Sequence, residues 1–147
     1  MSFKRFFEET QVAEDNNAIL VHNKRAKFAE NIINGKKTIE TRGVSIEKFP
    51  MLKDQPIELV TYIGKKKYTI GKVVFSEDKT YPINDIGFKE WEKDRHLHMV
   101  PEDSGFDLKN RPNKNPRYGW MVIDIEKYDK PKLFPYDFPR NGIKVIK

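Results

Sequence analysis

Residues 34–42 read Asn-Gly-Lys-Lys-Thr-Ile-Glu-Thr-Arg, and this stretch passes from helical to extended character. Gly35 follows the last apolar residue of the preceding segment, where a residue without a Cβ leaves a helix at little cost. The β-rich residues 38–42 then predict a short strand. Because Glu40 and Arg42 are two positions apart, their side chains are expected on one exposed face of that strand.

Lys37 has the opposite parity to Glu40 and Arg42, so it reaches their face only from an irregular turn before strand pairing begins. In that case one cleft holds two cations and one carboxylate, which suits a phosphate or a polarised carbonyl. Arg42 offers a planar fork for bidentate contact with a phosphate, a carboxylate or a base edge. The alternative interpretation is a structural salt bridge across the strand ends.

Strand and helix signals continue on both sides of this stretch. The apolar run of residues 18–21 is typical of a buried strand, and apolar residues at helical spacing predict a helix capped by Asn23 that ends near Asn34. Further predicted elements are a hairpin over 57–76 with its turn at 64–67, a helix over 88–98, a long loop over 101–116, and strands over 119–128 and 143–146. This order favours a small, mainly β, α+β barrel with two flanking helices over a βαβ sheet.

A chain of 147 residues fits one domain. The polar residues 1–17 are expected to form a loosely attached arm, with a helical turn around residues 3–9. Residues 18–147 then form the domain, with its core over 18–128 and a C-terminal extension over 129–147.

The composition narrows the classes of function. The absence of cysteine excludes a disulfide framework, a thiolate nucleophile and cysteine-ligated zinc. Neither a signal peptide nor a membrane-spanning segment is recognisable, so we expect a cytoplasmic protein without a membrane partner. A net charge of +6 with 12% aromatic residues suits phosphate contacts and base stacking, and it equally suits solubility alone.

Four positions of the opening stretch, namely Gly35, Lys37, Glu40 and Arg42, match the G-x-K-x-x-E-x-R signature of the ASCH family of the PUA-like superfamily. The placement of the motif between a helix and a strand also resembles that family, as does the later strand that contains Trp120. The resemblance covers residues 18 to about 128. It implies a PUA-like β-barrel without a cofactor, whose motif lines a cleft that binds RNA or a nucleotide-like ligand.

Some proteins with a similar motif are small amidohydrolases that act on acylated cytidine. Their nucleophilic threonine corresponds to Glu40 and their catalytic lysine to Lys37, so the acid found here argues against threonine chemistry. A carboxylate beside a lysine can still serve as a general base toward RNA or a modified nucleoside. An RNA-binding domain, a small hydrolase that uses Lys37 and Glu40, and a protein-interaction domain with a vestigial pocket therefore all remain open.

Further cations extend the predicted binding surface. Lys65 and Lys66 lie at the hairpin tip, where they either follow a nucleic-acid backbone or form a solvated turn. Four cations, Arg95, Arg111, Lys114 and Arg117, lie on or beside the long loop, and together with Tyr118 they suit a flap over single-stranded RNA.

The remaining candidates are given structural roles. Trp91 and Trp120 are expected in the core. Along the strand over 119–128, alternation predicts Trp120, Val122 and Asp124 on one face and Met121, Ile123 and Ile125 on the other. The histidines, His22, His96 and His98, are too few and too scattered for a catalytic metal site, and we expect them at the surface or in capping positions. No metal is predicted.

Overall fold

One curled, mixed sheet dominates the computed structural model of the chain, which describes residues 10–111 and 115–146. The order of its strands is β2-β5-β4-β3-β1-β6, and only β1 and β3 pair in parallel. The strands are β1 (Ala18–Leu20), β2 (Ile39–Arg42), β3 (Pro56–Ile63), β4 (Lys66–Tyr81), β5 (Arg117–Leu133) and β6 (Ile143–Lys144). This half-barrel with its helices confirms the predicted small α+β class.

The helices are α1 (Phe28–Ile33), α2 (Asp85–Lys93) and the short α3 (Arg95–His98). The first begins later than predicted, because Arg25 and Lys27 have φ values of 60° and 54° and interrupt the helical path. Asn23 nevertheless caps it from a distance, since its Oδ1 accepts a hydrogen bond from the backbone N–H of Glu30 at 2.9 Å. Gly35, at φ +79°, ends the helix as predicted.

A bulge in β5 changes the predicted alternation of that strand. Val74 of β4 pairs with Asp124, whereas its neighbour Phe75 pairs with Val122, so Ile123 is an extra residue in β5. Ile125 consequently packs against the core that contains Trp120, although strict alternation predicts opposite faces. That part of the prediction is wrong.

Both tryptophans are fully buried, which confirms their predicted place in the core. Trp91 donates to Asp107 Oδ1 at 2.7 Å and thereby attaches the loop after α3 to α2. Arg95 donates to Glu92, Asp107 and the carbonyl of Val100, so it is engaged in the same structural contacts. These contacts give Arg95 a structural role, and the flap over RNA stays a prediction, of which Lys114 lies outside the described residues.

The described part of the N-terminal arm is attached to the barrel, which differs from the predicted loose arm. Ala13 N–H donates to the carbonyl of Leu133 at 2.8 Å, and Leu133 N–H donates to that of Gln11 at 2.7 Å. Ala13 is buried in a small cluster with Ala18 and Phe134. The predicted turn over residues 3–9 lies outside the described residues.

Among the described residues, no helix combines the length and the apolar character required to cross a bilayer.

Candidate functional site

A cleft of about 460 Å³, called the first cleft below, opens along the motif strand β2. Glu40 and Arg42 point to the same face and both line it, but they are not exposed as predicted. Glu40 is 5% exposed and the side chain of Arg42 is 14% exposed. The other lining residues are Leu20, His22, Phe28, Thr41, Gly43, Val44, Phe106, Arg117 and Asn141.

Arg42 joins the two edges of the curled sheet. Its Nη2 donates to the carbonyl of Leu20 at 2.6 Å and its Nη1 to that of Asn141 at 3.1 Å. These acceptors belong to the β1–β6 edge, whereas Arg42 lies on β2 at the opposite edge. Gly142, at φ +75°, permits this approach, because a Cβ there would lie 3.2 Å from Arg42 Nη1. A side chain thus closes the barrel where strand pairing does not.

Replacement of Arg42 by alanine is therefore expected to lower the free energy of unfolding by about 2 kcal/mol, because charged hydrogen bonds are lost and their acceptors remain partly buried. Arg42→Lys keeps the charge without the fork and is expected to recover less than half of the loss. Urea denaturation of the three proteins measures the effect. Unchanged stability in Arg42→Ala would show that the closure contributes nothing.

Lys37 lies in the turn between α1 and β2, before strand pairing begins at Ile39. From this turn it can reach Glu40 despite its opposite parity. It is 1% exposed, its Nζ donates to the backbone carbonyl of His98, and the same atom lies 3.8 Å from Glu40 Oε1. The ring centroid of Phe28 is 4.7 Å away. Lys37 therefore sits behind Glu40 and not in the wall of the first cleft.

Burial dominates the titration of Lys37. Desolvation lowers its pKa to about 8, although the Glu40 carboxylate favours the charged form. The nearby guanidinium groups of Arg42 and Arg117 also contribute to this lowered pKa. At neutral pH the ammonium is still the main form, and it can lose its proton far more easily than an ordinary lysine.

His98 is fully buried, so the expectation of a surface or capping role is wrong. Its Nδ1 accepts from Val100 N–H at 3.0 Å, and its Nε2 lies 2.9 Å from the carbonyl of Trp91, on whose ring it stacks. Burial lowers the pKa of His98 to about 4, so the ring is neutral. Its role is to hold the carbonyl that accepts the Lys37 hydrogen bond. No cluster of metal-binding side chains occurs within residues 10–111 and 115–146.

Arg117 supplies a second cation to the first cleft. Its Nη2 donates to the Thr41 carbonyl at 3.1 Å and to Thr41 Oγ1 at 3.3 Å. Its Nε is buried and has no hydrogen-bond partner among the described residues. Burial lowers the pKa of Arg117 to about 10, so the guanidinium remains charged at neutral pH. Arg117 therefore lines the first cleft as a charged side chain whose Nε donor is unpaired among the described residues.

The aromatic wall of the first cleft was not predicted from the sequence. Phe106 comes from the long loop, and its ring centroid lies 6.1 Å from those of both His22 and Phe28. Phe106 is well exposed, so it presents a free ring face beside Glu40 and Arg42. The one sequence signal for it is an aromatic residue in an otherwise polar loop.

The other residues that the sequence predicts to bind the ligand, apart from Arg117, do not line the first cleft. Gly35 serves the helix end, and a Cβ there would contact only Ile125. Tyr118 packs, partly buried, against the core and does not line the first cleft. Lys65 lines a second, adjoining cleft and also a depression beside Phe134, whereas Lys66 lines only that depression.

Comparison with known proteins gives a likeness in fold. No family model matches the chain, and no curated protein matches it. The crystal structure of ASCH from Zymomonas mobilis superimposes with a TM-score of 0.61 over 90% of this chain and 87% of that chain, at 14% sequence identity. Two single-residue mutants of the same protein superimpose with TM-scores of 0.59 and 0.55, at 13% and 14% identity, over 91% and 90% of this chain and 91% and 88% of theirs. The chain therefore has the fold of an ASCH domain.

Proposed function

We propose that the first cleft binds RNA or a nucleotide-like ligand and that Glu40 and Arg117 contact the edge of one base. The observation that carries this proposal is that a buried carboxylate, Glu40, and a buried guanidinium with an unpaired Nε, Arg117, both line one open cleft. The Glu40 carboxylate accepts only, and Arg42 holds it by an ion pair of 3.0 Å. Arg117 Nε donates only and has no partner among the described residues. A base with an exocyclic amine next to an acceptor, such as cytosine or adenine, complements that pair.

The walls of the cleft favour a single-stranded ligand over a duplex. A base must leave its stack to enter a concave site, and unpaired bases do so at the least cost. The exposed ring of Phe106, with His22 behind it, offers a stacking surface next to the polar groups. The net charge of +6 adds a general attraction for phosphate.

Replacement of Glu40 by glutamine is expected to weaken binding of the preferred nucleoside about tenfold, because an amide keeps the shape but loses half of the acceptor capacity. The measurement is titration of the four ribonucleosides and of short single-stranded RNAs, at several salt concentrations. Glu126→Gln serves as the matched control, since Glu126 is exposed on β5 and does not line the first cleft. Equal affinities in parent, variant and control would refute the contact.

A hydrolase is the second candidate, and the lowered pKa of Lys37 beside a carboxylate favours it. Two features argue against it in this chain. A carboxylate that attacks an amide gives an anhydride, which is high in energy. As a general base, Glu40 contributes about a hundred- to ten-thousand-fold, well short of what amide hydrolysis requires.

We therefore expect little or no release of cytidine from N4-acylcytidine by the parent chain and a gain of turnover in Glu40→Thr. Loss of the carboxylate removes the group that raises the pKa of Lys37, so a neutral amine would lie near the new hydroxyl and could take its proton. Lys37→Ala in the Glu40→Thr background should abolish the gain. Robust turnover by the parent that is lost in Lys37→Ala would instead establish catalysis as the function.

A further inference from the structure

A second cleft, of about 860 Å³, adjoins the first. The two clefts share Leu20, His22, Arg42 and Asn141, so the bridge that closes the barrel also forms their common wall. A ligand that crosses this bridge can occupy both clefts at once.

The charges around the second cleft are of one sign. Its described lining residues include Lys24, Arg42, Lys65 and Arg140 and no carboxylate. Within residues 10–111 and 115–146, no ion pair joins Lys24, Lys65 or Arg140 to an acidic side chain. Lys65 comes from the β3–β4 turn and Arg140 from the loop before β6, so only the fold brings them together. Cations that converge without a counter-ion favour an anion between them.

A buried hydroxyl at the same cleft also lacks a partner. Thr61 of β3 lines the cleft and is 2% exposed, and its Oγ1 has no hydrogen-bond partner among the described residues. Buried hydroxyls are normally paired, so a small shift of the groups that cover this one would offer an unpaired donor to an acceptor from outside the chain. Phosphate oxygens are strong acceptors and match the charge of the surrounding cations.

An exposed aromatic ring completes the surface. Tyr62 of β3 lines the second cleft and is 52% exposed, although the five residues before it in that strand are buried. Phosphate-binding cations interleaved with free aromatic rings are typical of sites for single-stranded nucleic acid.

We propose that the second cleft binds a phosphate group of the ligand whose base occupies the first cleft, through Lys65 and Arg140 and with the hydroxyl of Thr61 as a donor. This inference rests on the proposed function, since it places the phosphate relative to the base. Lys66 is excluded from the site, although it adjoins Lys65 in the chain, because it does not line the second cleft.

The test compares the parent, the double variant Lys65→Ala/Arg140→Ala and the control Lys66→Ala/Lys89→Ala, which removes the same charge from exposed positions outside the second cleft. The ligands are the four ribonucleosides, their 3′- and 5′-monophosphates, and inorganic pyrophosphate. We expect a phosphate to tighten binding by the parent roughly tenfold, and we expect the double variant to lose this gain while it keeps the affinity for the nucleoside. The control should behave as the parent.

Equal affinity of the parent for nucleosides and nucleotides would overturn the inference, as would equal losses in the double variant and the control. If no nucleoside or nucleotide binds, the proposed function fails. The phosphate site is then tested by the binding of pyrophosphate to the parent and to the double variant. Binding of pyrophosphate that disappears in the double variant would support the site independently, and absence of binding would refute it.

Thr61→Val separates a ligand contact from a structural role. Removal of an unpaired buried hydroxyl is expected to leave the free energy of unfolding unchanged or higher, while the affinity for the phosphorylated ligand falls several-fold. A loss of stability together with unchanged phosphate binding would show that the hydroxyl serves the fold and would remove it from the proposed site.

Discussion

Glu40→Ala is expected to lower the free energy of unfolding by about 2–3 kcal/mol at pH 7, because the buried Lys37 ammonium is left unpaired or gives up its proton, at about 1.4 kcal/mol for each pKa unit. Lys37 Nζ lies 3.8 Å from Glu40 Oε1 and is 1% exposed, so water cannot replace the lost carboxylate. Arg42 also loses an ion pair of 3.0 Å. The measurement is urea denaturation at pH 7, where the Lys37 ammonium is still the main form.

A double variant tests the reason for this loss. Lys37→Met removes the unpaired charge and leaves a side chain of similar length, so Lys37→Met/Glu40→Ala is expected to be clearly more stable than Glu40→Ala alone. Exposed Glu126→Ala controls for the loss of one negative charge elsewhere. A loss of less than about 1 kcal/mol in Glu40→Ala would show that the Lys37–Glu40 pair does not stabilise the fold. The same follows if Lys37→Met does not restore part of the lost free energy of unfolding.

Stability is also expected to rise with pH between about 8 and 10.5 because of Lys37. Burial lowers the pKa of this lysine from 10.5 in the unfolded chain to about 8 in the folded one. In that interval the unfolded chain binds more protons than the folded chain, so each increase in pH favours folding. Below pH 8 both states are protonated and the folded state bears the full penalty of a buried charge, whereas above 10.5 neither does.

The size of this change in unfolding free energy follows from the difference between the folded and unfolded pKa values of Lys37. At about 1.4 kcal/mol for each pKa unit, the penalty is roughly 3 kcal/mol. The measurement is the difference in unfolding free energy between the parent and Lys37→Met from pH 7 to pH 11, since other lysines and tyrosines cancel in the difference. Parallel stability curves for the two proteins would mean that Lys37 titrates normally.

Local patterns predicted most of the fold. The hairpin of β3 and β4, the helix end at Gly35 and the burial of Trp120 follow from periodicity and from the steric demands of single residues. The start of α1 was missed because left-handed φ values at Arg25 and Lys27 carry no signal in residue type. The bulge at Ile123 was missed because an extra residue in one strand depends on its partner strand.

The candidate site was predicted only in part. The motif placed Glu40 and Arg42 on one face and Lys37 in the turn before the strand, and both hold, but Lys37 lies behind Glu40 and does not line the first cleft with them. The sequence did not reveal that the Glu40 carboxylate would be buried, or that His98 would be buried. Phe106 and Asn141 were also missed, since residues far apart in the chain meet at the cleft only after folding.

The sequence by itself therefore determined which residues carry charge and how they alternate, because side-chain direction in a helix or strand depends on local geometry. The tertiary structure alone decided three further properties of the site. It placed Arg42 across the open edge of the barrel, it lowered the pKa of Lys37, and it left the Nε of Arg117 without a partner among the described residues. These properties depend on desolvation and on contacts between distant segments, and local sequence patterns predict neither of them.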